Sequence, residues 1–423
     1  MKRPLFFLLL LAASCYRTTQ PEPLSLIQIQ DRNGLTETIS NPDRLPAYQS
    51  VDFFSSQPYK KVLRVYKTDG KNRSRITTYH PNGMLCQYLE AEEMRAHGAY
   101  REWFPNGQLK LEATVVAGTA DLIPGVQEDW VFDSLSRVWD EQGNLIASIL
   151  YQKGALEGKS TYYFPSGQID REFSFAKNKL DGEAVEFWAE GGLKAKSHYK
   201  KGSKEGESRG FFLDGKIAYI EEYTDGRLLR GTYYNPAGDQ ISEVEKGAGF
   251  QALFQDGAMM LIEFRMGLAD GLVQKFTPEG ELHRSYQCKG GKKHGEEVEY
   301  YLLSELEGEF QKRVPKMSVV WNENRVHGCA KTWYNNGQLQ SQREYSQNRR
   351  TGPSLAWYRD GSLMLYEEYE EDKLFTGHYY KIEKKEPVSS IANGNGTATL
   401  YDETGSFLRK VPYYKGKPVD PEE

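Results

Sequence analysis

Several groups of residues in this 423-residue sequence have types that could do chemistry. Asn393-Gly394-Asn395-Gly396 begins like a glycine-rich loop that cradles phosphate with backbone N–H groups, but Thr399 stands where the third glycine is needed and no helical pattern follows. Gly290-Gly291-Lys292-Lys293-His294-Gly295 has the composition of a nucleotide-binding loop without its spacing. His97, His294 and His327 could ligate a metal, yet each stands directly before a glycine, reads as a turn residue, and has no second histidine at ligand spacing. Glu367-Glu368 and Glu370-Glu371 could supply an acid and a base, but carboxylates alternating along a strand read as a solvated face. Neither a GxSxG elbow nor an HExxH helix occurs. Cys86, Cys288 and Cys329 are widely scattered, with no CxxC, so they form neither a disulfide framework nor a metal set. The expectation is a chain with no catalytic residues, no metal site and no cofactor.

The elements that hold these residues are repeats. Aligning on Gly98, Gly158, Gly182, Gly206, Gly271, Gly328, Gly352 and Gly396 gives eight copies, several of them 24 residues apart. Five residues after each glycine stands an aromatic: Trp103, Tyr163, Phe187, Phe211, Phe276, Trp333, Trp357 and Tyr401. Nine residues after it a second glycine recurs, and two beyond that an apolar residue such as Leu109, Ile169 or Leu339. Weaker copies fit at Tyr79-Gly83-Leu85 and Trp139-Gly143-Leu145. Phe104-Pro105-Asn106-Gly107 and Tyr334-Asn335-Asn336-Gly337 place a turn tetrad between two β-prone runs, where Gly or Asn supplies positive φ. A second turn, Lys177 to Gly182, returns the chain to the next hairpin. The fold expected is all-β: an elongated antiparallel meander of tandem hairpin repeats of about 24 residues, forming a single twisted sheet.

Side chains alternate along a strand, so the sixth offset should face away from the fifth. It too is aromatic in six copies: Phe104, Phe164, Trp188, Phe212, Tyr334 and Tyr358. Two ladders exceed what one buried layer needs; the leading reading is that both pack on side chains of neighbouring repeats, and the alternative makes these six residues a partly exposed partner-binding stripe. The regular pattern breaks near 117–133, 229–250, 302–318 and 381–395, and the excursions near 117–133, 302–318 and 381–395 are further candidates, with plain loops as the other reading.

Composition narrows the class. Fifty-four Lys plus Arg against 59 Asp plus Glu give a net charge of −5, which offers no global field for nucleic acid. A hydrophobic fraction of 39% beside 28 Tyr, 19 Phe and 40 Gly argues against a polytopic membrane protein and a deep aliphatic core. Lys2-Arg3 followed by the apolar run Leu5 to Ala13 reads as a signal peptide. Leu11-Ala12-Ala13-Ser14-Cys15 resembles the lipobox of bacterial lipoproteins, with Ala12 where that family usually has Leu. The resemblance implies diacylglyceryl transfer to Cys15, a membrane anchor, and, with Tyr16 rather than Asp following, an outer-membrane lipoprotein facing the periplasm.

The units Phe104-Pro105-Asn106-Gly107-Gln108-Leu109, Phe164-Pro165-Ser166-Gly167-Gln168-Ile169 and Tyr334-Asn335-Asn336-Gly337-Gln338-Leu339 resemble the MORN-repeat variant family, whose bacterial members include YwqK-type antitoxin proteins. The resemblance implies a non-enzymatic hairpin array. With the lipobox it gives a lipid-anchored protein that binds a protein or cell-envelope component along its sheet; the alternative is an antitoxin or immunity protein neutralising a toxin. Its oligomeric state stays open. The expected divisions are a signal peptide (1–14), a tether (15–23), an N-terminal β capping region (24–73), the repeat array (74–416) and a polar tail (417–423).

Overall fold

The structure, a computed structural model, describes residues 23–68, 70–307 and 313–419. The signal segment, Cys15 and the last four residues lie outside the described residues. The chain divides into two compact units, residues 1–191 and 192–423, and both are antiparallel meanders of hairpins.

In the first unit the hairpin Leu24–Gln30 with Thr36–Ile39 sets a four-residue strand at the edge, and Leu24–Gln30 pairs on its other side with Lys61–Thr68. From there each strand pairs with the next in sequence through Lys71–Tyr79, Leu85–Glu92, Arg95–Trp103, Leu109–Ala117, Val131–Trp139, Leu145–Gln152, Gly158–Tyr163, Ile169–Ala176 and Lys179–Phe187. The second unit repeats the plan from Leu193–Lys200 to Phe407–Tyr414.

Each hairpin has two kinds of turn. At the front, Phe104 donates its N–H to Gln108 O at 2.8 Å and Gly107 donates to Phe104 O at 2.9 Å, with Gly107 at φ +85°. At the back, Lys177 and Asn178 both have positive φ, the signature of a tight two-residue hairpin turn. The back turn is thus shorter than the run from Lys177 to Gly182, and the repeat's first glycine lies inside the following strand. Gly182 has φ +105° and sits opposite a register shift between Phe173 and Phe175, so it is a bulge residue. His97, His294 and His327, read as turn residues, are strand residues next to such bulges.

Successive back turns are stitched together. Asn178 Oδ1 accepts from Leu156 N–H at 2.7 Å, while Asn178 N–H donates to Leu156 O at 3.1 Å. The same reciprocal pair recurs in the second unit for Asn324 with Lys293, Asn348 with Val326 and Asp372 with Arg350. A short polar side chain that tolerates the left-handed conformation is what this position requires.

In the first unit the buried clusters form where extra segments cover the sheet. Residues 40–58 lay Leu45 and Phe53 over Ile27, Ile29 and Val62. The 117–133 excursion places Leu122, Val126 and Trp130 over Leu89, Tyr100 and Val115, with Trp130 edge-on to Tyr100 at 4.7 Å between ring centroids. The four strands from Leu145 to Phe187 belong to neither cluster, and their most buried residues are small: Ala147, Ser160 and Ala184.

In the second unit the excursions at 229–250 and 381–395 are two copies of one construction. Leu228 N–H donates to Gly267 O at 3.0 Å, Gly267 N–H to Gly247 O at 2.9 Å and Gly247 N–H to Leu229 O at 2.9 Å, so three back turns close on one another. Leu374, Gly416, Gly394 and Phe375 repeat this set at 3.0, 2.9 and 2.8 Å. The sheet rolls up at each place around a small core, Leu228, Tyr233 and Val244 in one and Leu374, Tyr379 and Ile391 in the other. These excursions therefore build cores.

Candidate functional site

The sixth-offset residues do not alternate across the sheet from the fifth. Trp103 ends its strand, and Phe104 is the first residue of the turn. Phe104, Phe164 and Trp188 in the first unit and Phe212 in the second are half-buried. Phe104 has the Lys110 ammonium 5.9 Å from its ring centre, and Phe212 packs edge-on against Phe254 at 5.6 Å. Tyr334 and Tyr358 correct the expectation: they are 4% and 0% exposed, so neither ring is open to a partner.

Their role is to hold neighbouring front turns together. Tyr334 donates to Trp357 O at 3.0 Å and Tyr358 to Tyr380 O at 2.8 Å, each reaching the next hairpin. Tyr301 at the equivalent place donates to Trp333 O at 2.7 Å, and in the first unit His80 Nε2 lies 2.8 Å from Trp103 O. Removing one such bond by Tyr358→Phe should lower stability by about 1 kcal/mol, read by urea denaturation followed by circular dichroism. A loss below a few tenths would mean that the bond is exchanged freely with water.

Burial also pushes the hydroxyls of Tyr79 and Tyr358 up to about 12. A proton bound more tightly in the folded than in the unfolded chain stabilises the fold fully below the ordinary value of 10.0. That contribution disappears as pH rises through about 12. The urea midpoint should therefore fall between pH 10 and 12, together with a late tyrosinate absorbance change; a midpoint flat over that window would refute the assignment.

The register in the first unit brings together residues that the repeat frame separates. Trp103 lies opposite Leu109, Trp139 opposite Leu145, and Tyr163 opposite Ile169, so aromatic and aliphatic side chains alternate on one face near the front turns. Phe187 ends the next strand in the same position. All four rings are half-buried. Two residues back along the strands runs an unbroken cross-strand row: Arg101, Glu112, Arg137, Ser148, Thr161 and Glu172. Arg101 Nε contacts Glu112 at 2.8 Å, Arg137 contacts the same carboxylate at 3.8 Å, and Lys159 reaches Glu172 at 2.9 Å. An apolar stripe and a polar stripe thus run side by side across the strands, available to an elongated ligand.

The opposite face is held by a column two residues after each glycine. In the first unit Tyr100, Ser160 and Ala184 are 0%, 1% and 7% exposed; in the second, Ser208, Glu297 and Ser354 are equally buried. Sequence reasoning missed this column, although the small residue recurring two places after the glycine was a readable signal. It also missed the burial of Glu221 and Glu297 in the second unit, and it read Glu367 as part of a solvated face, whereas Glu367 is 9% exposed because phenols close over its carboxylate. Glu221 accepts from Tyr223 and Tyr233, both at 3.0 Å, and from Gln251 Nε2 at 2.6 Å; Glu367 accepts from Tyr369 at 3.1 Å and Tyr379 at 2.8 Å. Burial first, then the carboxylate charge, pushes all four phenols up.

Among the described residues no group of His, Cys, Asp and Glu gathers as a metal site, and Cys86, Cys288 and Cys329 are free thiols. No described helix is long and apolar enough to cross a membrane. No curated protein sequence matches the chain. Among solved structures, a porin-like protein from Bacteroides uniformis ATCC 8492 aligns with 73% of this chain and 95% of its own at 11% identity, with a TM-score of 0.10 that carries no structural argument. Residues 96–116, 156–177, 180–201, 204–225 and 326–347 match the family described as MORN repeat variant, so these five segments are repeats similar to that family.

Proposed function

We propose that this chain is a lipid-anchored, non-enzymatic binding protein of the cell envelope, tethered through Cys15 to the outer membrane on its periplasmic side, which engages a protein or envelope component along its sheet. The observation that supports the reading is the pair of stripes on the strands from Val131 to Phe187, where Trp139, Tyr163 and Phe187 stay half-buried and the strands from Leu145 onward belong to no buried cluster. Single-layer sheet with rings on its surface is a binding surface in wait of a partner.

The test is capture from a native envelope extract by the detergent-solubilised full chain, read by mass spectrometry, beside a Tyr163→Ala, Ile169→Ala variant. One stoichiometric component that is lost with the variant supports the reading. Capture that ignores the variant, or no capture at all, refutes it. The anchor is tested separately: globomycin should make the unprocessed precursor accumulate, and unchanged gel mobility would remove lipidation from the proposal.

A further inference from the structure

We infer that the paired stripes of the first unit bind a β-1,4-linked glycan strand, an inference that rests on the proposed binding role and names the chemical class of its partner. Three features of the surface select this class.

The first is period. Trp139, Tyr163 and Phe187 stand on alternate strands, each at the front end, whereas Trp103 at the head of the same row packs on the first core cluster and edge-on to Phe54. Strands lie about 4.8 Å apart, so one ring recurs every 10 Å or so along the stripe. In a β-1,4-linked chain each pyranose is turned over relative to its neighbour, and the same sugar face therefore returns once per disaccharide, close to that spacing. An extended peptide returns side chains to one face about every 7 Å and a helix about every 5.4 Å, so neither keeps step with the rings.

The second is the apolar and polar division. Aromatic rings take the C–H face of a pyranose, while hydroxyls at the edges of the sugar need donors and acceptors. The row from Arg101 to Glu172 supplies both, two residues or about 7 Å from the rings, which is the width of one sugar with its exocyclic groups. Ser148 and Thr161, directly opposite each other, put hydroxyls at the middle of that row.

The third is charge. The Arg101, Arg137 and Lys159 cations are each paired with Glu112 or Glu172. A surface whose charges are already compensated complements a neutral, hydroxyl-rich polymer and offers little to a polyanion.

The probes are cellohexaose, chitohexaose and maltohexaose, titrated against the full chain in detergent, with tryptophan fluorescence and calorimetry as readouts. At least one of the two β-1,4 hexasaccharides should bind. Its affinity should exceed that of the corresponding disaccharide by about tenfold or more, because a longer chain meets more than one ring. Maltohexaose, whose α-linkage curls the chain, should not bind. Tyr163→Leu, which keeps apolar bulk and removes the ring, should weaken binding by about fivefold or more with an unchanged β-sheet spectrum. If that variant misfolds, Phe187→Leu serves the same purpose. Preference for chitohexaose or for cellohexaose distinguishes an N-acetylated from a plain glucan source. Absence of binding by both, equal binding of maltohexaose, no dependence on length, or indifference to both leucine variants would overturn the inference. A captured protein that depends on Tyr163 while neither glycan binds would sink the glycan and leave the broader binding role standing.

Discussion

Replacing Gly249 by alanine should lower the stability of the rolled segment 217–276 by at least about 3 kcal/mol. Strands Gln240–Glu245 and Ala248–Gln255 pair only at Val244 with Gly249 and at Glu245 with Ala248, and then part as the sheet rolls. Gly249 makes that parting possible with φ +137°, where an added Cβ would overlap the carbonyl oxygen of Glu243. Neither backbone can yield, because Gly247 is fixed between Leu229 and Gly267, and a Cβ there would lie 2.6 Å from Gly267 N. Gly396 repeats the position at φ +146° against the Ser390 carbonyl. The control is Gly215→Ala, in a front turn at φ +81° with nothing within 4 Å, which carries only the turn strain of about 1 kcal/mol. Hydrogen exchange read by mass spectrometry separates the two: Gly249→Ala should speed exchange across 217–276 while 363–418 keeps its protection. If Gly249→Ala behaves like Gly215→Ala, the roll does not depend on this glycine.

That prediction lies in a part of the chain that the repeat frame described only as an interruption. The frame works where one glycine bulge, one ring and one front turn recur, because each is a local steric requirement with its own residue type. It stops at residue 229. Leu229 and Phe375 occupy the bulge position that glycine takes elsewhere, shown by register shifts opposite Tyr223 and Tyr369. The two rolled segments follow from this change, and their likeness emerges only on a shift of 146 residues, which carries Gly206, Glu221, Tyr223, Leu228, Gly231 and Tyr233 onto Gly352, Glu367, Tyr369, Leu374, Gly377 and Tyr379. A period of 24 residues cannot reveal that correspondence. The burial of Tyr334 and Tyr358 has a related reason: each strand ends at the fifth offset, so the sixth belongs to a turn, and the next hairpin covers both rings. The polar row from Arg101 to Glu172 joins positions in different repeats, and only pairing across strands aligns them.

Glu221→Ala should cost about 3 kcal/mol, more than Glu367→Ala. The Glu221 carboxylate is 2% exposed and accepts three bonds, with the Lys204 ammonium at 3.8 Å. Truncation leaves two phenols and an amide without an acceptor, inside a core that no water reaches easily, and each orphaned donor carries its own desolvation cost. Glu367 accepts from two phenols and no amide, so its loss orphans two donors rather than three. The geometry around Glu221 is fixed from the opposite strand. Gly231 faces Glu221 directly, and the Tyr233 hydroxyl occupies the space that a Cβ on residue 231 would fill. Tyr233 can therefore fold back onto the carboxylate only because residue 231 has no side chain. A double-mutant cycle of Glu221→Ala with Tyr233→Phe, followed by urea denaturation, isolates the bond: the pair should couple by about 1 kcal/mol or more, since once the carboxylate is gone the hydroxyl has nothing to donate to. Additive losses would mean that Tyr233 stabilises this core through its ring alone, and that the buried carboxylate is satisfied by Tyr223 and Gln251 without it.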